Sequence, residues 1–252
     1  MRVSLANRDA SVMVDLDTDG AHVTCFTHKD TDVLVPRPPR AGNKIRSGMF
    51  IADPFGPDSP AATSKHGPLR HQPWEVAELR HYAVEAGEPY ADKAVLTTTD
   101  RGVHVRASYR VEEMRSGSAV LSARLALTNT LDKPVRRTPG YHPYLMVSPD
   151  YPQPILNILG IDQGRLDEPQ IIDLSTRKRG VELQTPEGFI NVVSYDGSLP
   201  QYCFWSDGVS LCVEPTSHGA ANSKPGRPSK NQYIEPGETR RFMMSIFHSI
   251  RE

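Results

Sequence analysis

The sequence predicts an all-β protein, a large antiparallel β-sandwich, from three observations. Two stretches alternate between core-facing apolar residues and mostly polar ones, the period of a half-buried strand. Turn signals recur between such stretches. The chain also carries 22 prolines and no sustained helical period, and a proline inside a helix costs about 3 kcal/mol.

In chain order, Ser11 to Asp17 and Gly20 to Phe26 are β-rich runs on either side of a DTDG turn, which predicts a hairpin. Pro36 to Arg40 and Pro54 to Pro68 read as long loops. Val103, Val105, Ala107 and Tyr109 alternate with His104, Arg106, Ser108 and Arg110. Leu121, Ala123, Leu125 and Leu127 do the same with Ser122, Arg124, Ala126 and Thr128. Val209 to Val213 and Phe242 to Phe247 are shorter apolar strands, and Asn222 to Asn231 is a further loop. YIEPGETRRF reads as a strand, a turn at Pro236-Gly237 and a closing strand. With no internal repeat and no composition break, residues 1–252 are expected to form a single domain large enough for one substantial core.

A net charge of -1 and a pI near 6.8 argue against nucleic acid as a partner and give no reason to expect an anionic membrane surface. The mean hydropathy of -0.46 and the lack of any apolar run near the ~20 residues of a spanning helix argue against an integral membrane protein. The N-terminus shows no apolar secretory core, and Cys25, Cys203 and Cys212 cannot all pair within one chain, so a reducing cytoplasm is the expected setting.

Three fragments carry the candidate chemistry. Arg46 to Trp74 concentrates glycine, proline, two arginines and two histidines, the composition of a functional loop. Within it His66 precedes a glycine that leaves room for close approach to the backbone. Arg70 offers a fork of donors, and Trp74 an apolar face on which a sugar ring could lie. His142, in GYHPYL, has aromatic neighbours Tyr141 and Tyr144 to desolvate it and can move a proton near neutral pH. Glu214, in LCVEPTSHGAAN, ends an apolar strand, where burial would raise its pKa. Each also has an ordinary structural reading: His66 a solvated loop histidine, Trp74 a core anchor, His142 a buried histidine satisfied by backbone, Glu214 an exposed strand-end carboxylate. No phosphate-binding loop, dinucleotide fingerprint, GxSxG or zinc-type spacing occurs.

GNKIRSG at 42–48, HGPLR at 66–70, Trp74, GYHPYL at 140–145, CVEP at 212–215 and PGET at 236–239 together resemble the aldose 1-epimerase (galactose mutarotase) superfamily in order and spacing. The resemblance implies a mutarotase-like supersandwich that interconverts the α and β anomers of an aldohexose without a cofactor or metal, since every step is a proton transfer. Glu214 would be the general base on the anomeric hydroxyl and His142 the general acid on the ring oxygen, on opposite sides of the pyranose. His66 would help to hold that oxygen. Asn43, Lys44, Arg46, Arg70, Trp74, Tyr141 and Asn191 would bind substrate.

Asn43-Lys44 replaces the Asn-Arg pair of many free-sugar mutarotases. Around the family's substrate-binding aspartate the chain offers Asn191 and Asp196 in GFINVVSYDG, with no clear match. IRSGMFIADPFGP followed by HGPLR also resembles the hexose-6-phosphate 1-epimerase branch, in which Arg46 and Arg70, supported by Lys44, would grip a phosphate. The expected partner is thus a small sugar or sugar phosphate, bound by a monomer or homodimer. The further alternative is a carbohydrate-binding sandwich without turnover.

Overall fold

The structure, a computed structural model, describes residues 1–36, 46–55, 66–81, 91–146, 155–157, 170–173, 180–185, 187–195, 197–206, 210–217 and 232–251. The strands at 155–157 and 170–173 are described by their backbone alone. Strands dominate. They are β1 (Arg2–Ala6), β2 (Val12–Asp17), β3 (His22–His28), β4 (Thr31–Asp32), β5 (Met49–Ala52), β6 (Glu75–His81), β7 (Ala91–Asp100), β8 (Val103–Glu113), β9 (Ala119–Asn129), β10 (Val135–Arg136), β11 (Gly140–Met146), β12 (Ile155–Asn157), β13 (Gln170–Asp173), β14 (Gly180–Gln184), β15 (Gly188–Ser194), β16 (Gln201–Ser206), β17 (Ser210–Thr216), β18 (Tyr233–Ile234) and β19 (Thr239–Ile250). A 3₁₀ turn covers Leu69–His71, and among the described residues no helix is long and apolar enough to cross a membrane.

Two antiparallel runs make up the sandwich. One runs β6-β7-β8-β9-β19-β15-β14-β12, and the other β13-β16-β17-β11-β5-β3-β2-β1. A single parallel pairing, Leu5 with Ala91, joins β1 to β7, so the layers form one curled sheet.

The alternation seen in the sequence sets the faces. Val103, Val105, Ala107 and Tyr109 of β8 and Leu121, Ala123, Leu125 and Leu127 of β9 all enter one core cluster. Phe26, Ile51, Leu145 and Val213 from the other run join it. Polar bonds also cross this core. The Tyr109 hydroxyl donates to the Ala21 carbonyl at 2.7 Å, and the His28 and His248 Nδ1 atoms meet at 3.1 Å.

The DTDG hairpin forms as β2–β3, with a bulge between Asp15 and Leu16. Val105–Leu127 and its neighbours pair β8 with β9, and Phe242 to Phe247 lies inside the longer β19. Pro236-Gly237 turns between β18 and β19, with Gly237 at φ 72°. Most of Pro36–Arg40 and Pro54–Pro68, all of Asn222–Asn231, and Val209 fall outside the described residues.

Candidate active site

His142 and Glu214 both lie within strands, at the centre of one run. Each precedes a proline, Pro143 and Pro215. A following proline disfavours the helical region for the residue before it, so both side chains are carried on backbone biased toward the extended form. Proline has no ladder donor, yet both are accommodated, Pro143 opposite Met49 and Pro215 opposite Tyr202.

Strands β5, β11, β17 and β16 lie side by side, and alternation sends their residues to two faces. Met49, Ile51, Tyr141, Leu145, Leu211, Val213, Tyr202 and Phe204 enter the main core. The opposite face carries Phe50 and Ala52, His142 and Tyr144, Cys212 and Glu214, Cys203 and Trp205. The apolar members of that set form a second, separate cluster with Phe55 and Val35.

Register then orders the site. His142 pairs with Phe50. The printed pairs Gly140–Thr216 and Tyr144–Cys212 bracket His142 opposite Glu214, and Glu214 pairs with Cys203. Phe50, His142, Glu214 and Cys203 therefore form one row, and Tyr144, Cys212 and Trp205 the next. The His142 Nε2 and Glu214 Oε1 atoms are 3.2 Å apart, with the residues only 6% and 3% exposed. The imidazole stacks on both Phe50 and Tyr144, each with centroids at 4.7 Å.

His66 reaches this face from the far side of a tight turn. Gly67, at φ 66°, lies so close to the Asp53 carbonyl that any Cβ would overlap it, and the Asp53 N–H donates to the His66 carbonyl at 3.3 Å. The close approach foreseen at this glycine is made by the chain's own backbone. His66 stands edge-on to His142 at 5.0 Å and against Phe50 and Phe55.

Asp53 is itself anchored. Its carboxylate accepts from Arg137 Nη1 at 3.1 Å and from the Thr138 N–H at 3.1 Å. The same Nη1 donates to Asp100 at 2.6 Å. All three charged residues are buried, and burial pushes the Asp53 carboxyl up to about 6 against the opposing pull of Arg137.

Two arginines lie against aromatic residues of this face. Arg70, on the 3₁₀ turn, places its guanidinium 5.0 Å over the Phe50 ring and donates from Nε to His71 Nε2 at 2.7 Å. Arg46, exposed, lies 5.3 Å over the Trp205 ring. Both charges act on the Tyr144 phenol between them, which burial raises well above its ordinary range.

Burial also dominates the central pair. It pushes the Glu214 carboxyl well above the usual carboxylate range. It pushes His142 well below the usual imidazole value, helped by the nearby His66, Arg70 and His22. Burial thus disfavours either charge standing alone, and the two groups lie within hydrogen-bond distance of each other. Where opposite sides of a ring were expected, the two groups are next-door neighbours.

Several residues expected to bind substrate lie elsewhere. Trp74 is a core residue whose indole N–H donates to the Leu69 carbonyl at 3.1 Å, which leaves no ring face for a sugar. Tyr141 points into the main core because it is out of phase with His142. Its hydroxyl donates to the Phe242 carbonyl at 3.4 Å. Asn191 sits on β15 opposite Phe247 and Glu182, alternating with the core residues Ile190 and Val192, on the face turned away from them. Asn43, Lys44 and Asp196 lie outside the described residues.

The sequence reading also missed members of the site: Phe50, Cys203, Cys212 and Trp205. Tyr144 was noticed only as a neighbour. The signal available was the spacing of two in His142/Tyr144 and Cys212/Glu214, which puts each pair on one face of a strand.

No family sequence model matches this chain, and no curated protein matches it by sequence. Solved structures do match in shape. The Slr1438 protein from Synechocystis sp. PCC 6803 superposes with a TM-score of 0.74 at 18% identity, covering 100% of this chain and 96% of its own. A galactose mutarotase-like protein from Lactobacillus casei gives 0.68 at 14% identity, covering 98% and 100%. A galactose 1-epimerase from Lactobacillus acidophilus gives 0.66 at 13% identity, covering 97% and 93%. The chain has the galactose mutarotase-like fold.

Proposed function

We propose that this protein is an aldose 1-epimerase, with Glu214 and His142 as its acid–base pair. One observation carries the reading: an imidazole and a carboxyl, both buried, 3.2 Å apart on a sheet face that is not the main core. In a pyranose, O1 and the ring oxygen are bonded to the same carbon. Two proton-bearing groups that close together can address both atoms at once. Simple sugar binding needs no such pair.

With burial disfavouring either charge alone, the resting pair in this reading shares one proton, held on the Glu214 carboxyl. As sugar hydroxyls enter and donate to the carboxylate, the charged arrangement becomes affordable, with the proton on His142 Nε2 and Glu214 ionised. Glu214 then takes the proton from O1–H. The O1 electron pair forms the C1=O1 carbonyl, the C1–O5 bond breaks, and O5 receives the His142 proton. Rotation about C1–C2 presents the other face of the aldehyde. O5 attacks C1, its proton returns to His142, and Glu214 gives its proton back to O1. Each step balances without a redox partner. A positioned acid or base contributes about 10²–10⁴-fold. His66, edge-on to His142, steadies the ring-oxygen side, and Arg70 donates to a sugar hydroxyl.

A second reading, a hexose-6-phosphate 1-epimerase, is favoured by one feature. Arg46 and Arg70 lie over Trp205 and Phe50 of the same face and both charges are felt by Tyr144, and two guanidinium groups suit a phosphate. Polarimetry on freshly dissolved α-glucose, α-galactose and α-glucose 6-phosphate separates these readings. Acceleration of a free sugar supports the first, and acceleration of the phosphate ester alone supports the second. No acceleration of any aldohexose or its 6-phosphate overturns both.

A further inference from the structure

We infer that His142, Cys212 and Glu214 form a binding site for a divalent cation of the zinc class. One donor atom from each lies within 4.8 Å of the other two, and all three side chains are buried. The grouping follows from the strand geometry. Cys212 and Glu214 are two residues apart on β17 and share a face. His142 lies across on β11 opposite Glu214, next to the Tyr144–Cys212 pair.

The donor set selects the metal. Nitrogen, sulfur and oxygen donors suit zinc, cobalt and their neighbours, whereas calcium and magnesium take oxygen ligands. With bonds of about 2.0–2.3 Å, ligand atoms of a tetrahedral site stand about 3.5 Å apart. The His142–Glu214 separation of 3.2 Å already meets that, so small side-chain rotations suffice.

Charge balance favours the same assignment. A cysteine thiolate and a glutamate carboxylate cancel a dication, while histidine binds as the neutral ring. The buried cluster thus becomes neutral overall, which answers the usual objection to charge in a dry site. The metal–sulfur and metal–oxygen bonds form as the Cys212 thiol proton and the Glu214 carboxyl proton leave to solvent. Three protein ligands leave the fourth position to water.

The cation occupies the two groups that epimerisation needs, so metal and turnover exclude each other. That last consequence rests on the epimerase reading, but the binding itself does not.

The test is a titration of the purified chain with cobalt(II) chloride in the absence of sugar. The expected result is a thiolate-to-cobalt charge-transfer band that saturates at one equivalent and is bleached by zinc. Cys212→Ala abolishes the band, whereas Cys203→Ala and Cys25→Ala retain it. Glu214→Gln weakens cobalt binding by more than about 10-fold, since even groups behind the ligands are worth 10–100-fold. Absence of the band in the wild-type chain, or its survival in Cys212→Ala, overturns the assignment. Because no sugar is present, neither result depends on whether the protein turns sugars over.

Discussion

Replacing Glu214 by glutamine separates the proposed chemistry from the architecture around it. Glutamine is nearly isosteric, and its amide donates to His142 Nε2 across the same 3.2 Å as the carboxyl. It cannot take a proton from O1–H. Loss of the base therefore removes about 10²–10⁴-fold in turnover. At 1.36 kcal/mol per decade this is about 3–5 kcal/mol of transition-state stabilisation. Stability moves the other way. Burial raises the folded pKa of Glu214 well above its ordinary 4.5, so the native state holds more protons than the unfolded chain at pH values between the two. The group's contribution is complete below the unfolded pKa and is lost as pH rises through the folded one. Glutamine has no proton to lose. Glu214→Gln should thus melt at or above the wild-type temperature, with a gap that widens as pH rises above the ordinary carboxyl value of 4.5. Polarimetry and thermal melts followed by circular dichroism measure the two effects. Turnover within about 10-fold of wild type refutes the base assignment. A variant that melts lower than wild type at the alkaline end refutes the picture of a buried neutral carboxyl.

Arg70→Ala should raise KM for a hexose 6-phosphate by about 10–100-fold, the equivalent of a charged hydrogen bond worth 1.5–3 kcal/mol. Steady-state kinetics on the neutral sugar should show a smaller change, and equal losses would remove the phosphate contact. Arg137→Met strands Asp53 and Asp100 together in the interior, and breaking a buried pair in this way costs about 3–5 kcal/mol. Urea denaturation reads this directly, and a loss under about 1 kcal/mol would show that the network adds little. His248 is held down to about 4 by burial and by the neighbouring His28, which is itself lowered. Stability from this pair is present above about 6.5 and is lost as pH falls toward 4. His248→Gln should flatten that acid loss by on the order of 1–3 kcal/mol, measured as denaturation midpoints across the window. An unchanged slope would show that the pair titrates elsewhere.

How far the sequence could be read depended on whether a signal was local. The alternation from Val103 to Tyr109 and from Leu121 to Leu127 is a property of each segment, and it places those side chains in the core without knowledge of their partners. Trp74 is different. A tryptophan beside an arginine fits a sugar platform and a core anchor equally well. What decides is the Leu69 carbonyl that receives its N–H, a contact made by the folding of the 3₁₀ turn. Arg137 sits next to an exposed Arg136 and is buried by Asp53 and Asp100, residues far from it in sequence. No local pattern distinguishes the two arginines.

The candidate site falls between these cases. Its residue types were legible, because a histidine and a glutamate inside apolar strands call for partners. Its geometry was not, because the His142–Glu214 contact exists only through the β11–β17 register. Yet the two dipeptides that carry it, His142-Pro143 and Glu214-Pro215, have the same form. Each proline biases the preceding residue toward the extended form and gives up one ladder donor at the next position. A sheet tolerates that loss best where neighbouring strands fix the register independently. Here the Tyr144–Cys212 and Gly140–Thr216 pairs do so on both sides of the reactive row. The His142–Glu214 pair is thereby placed by backbone that has few alternative conformations, on the face turned away from the main core.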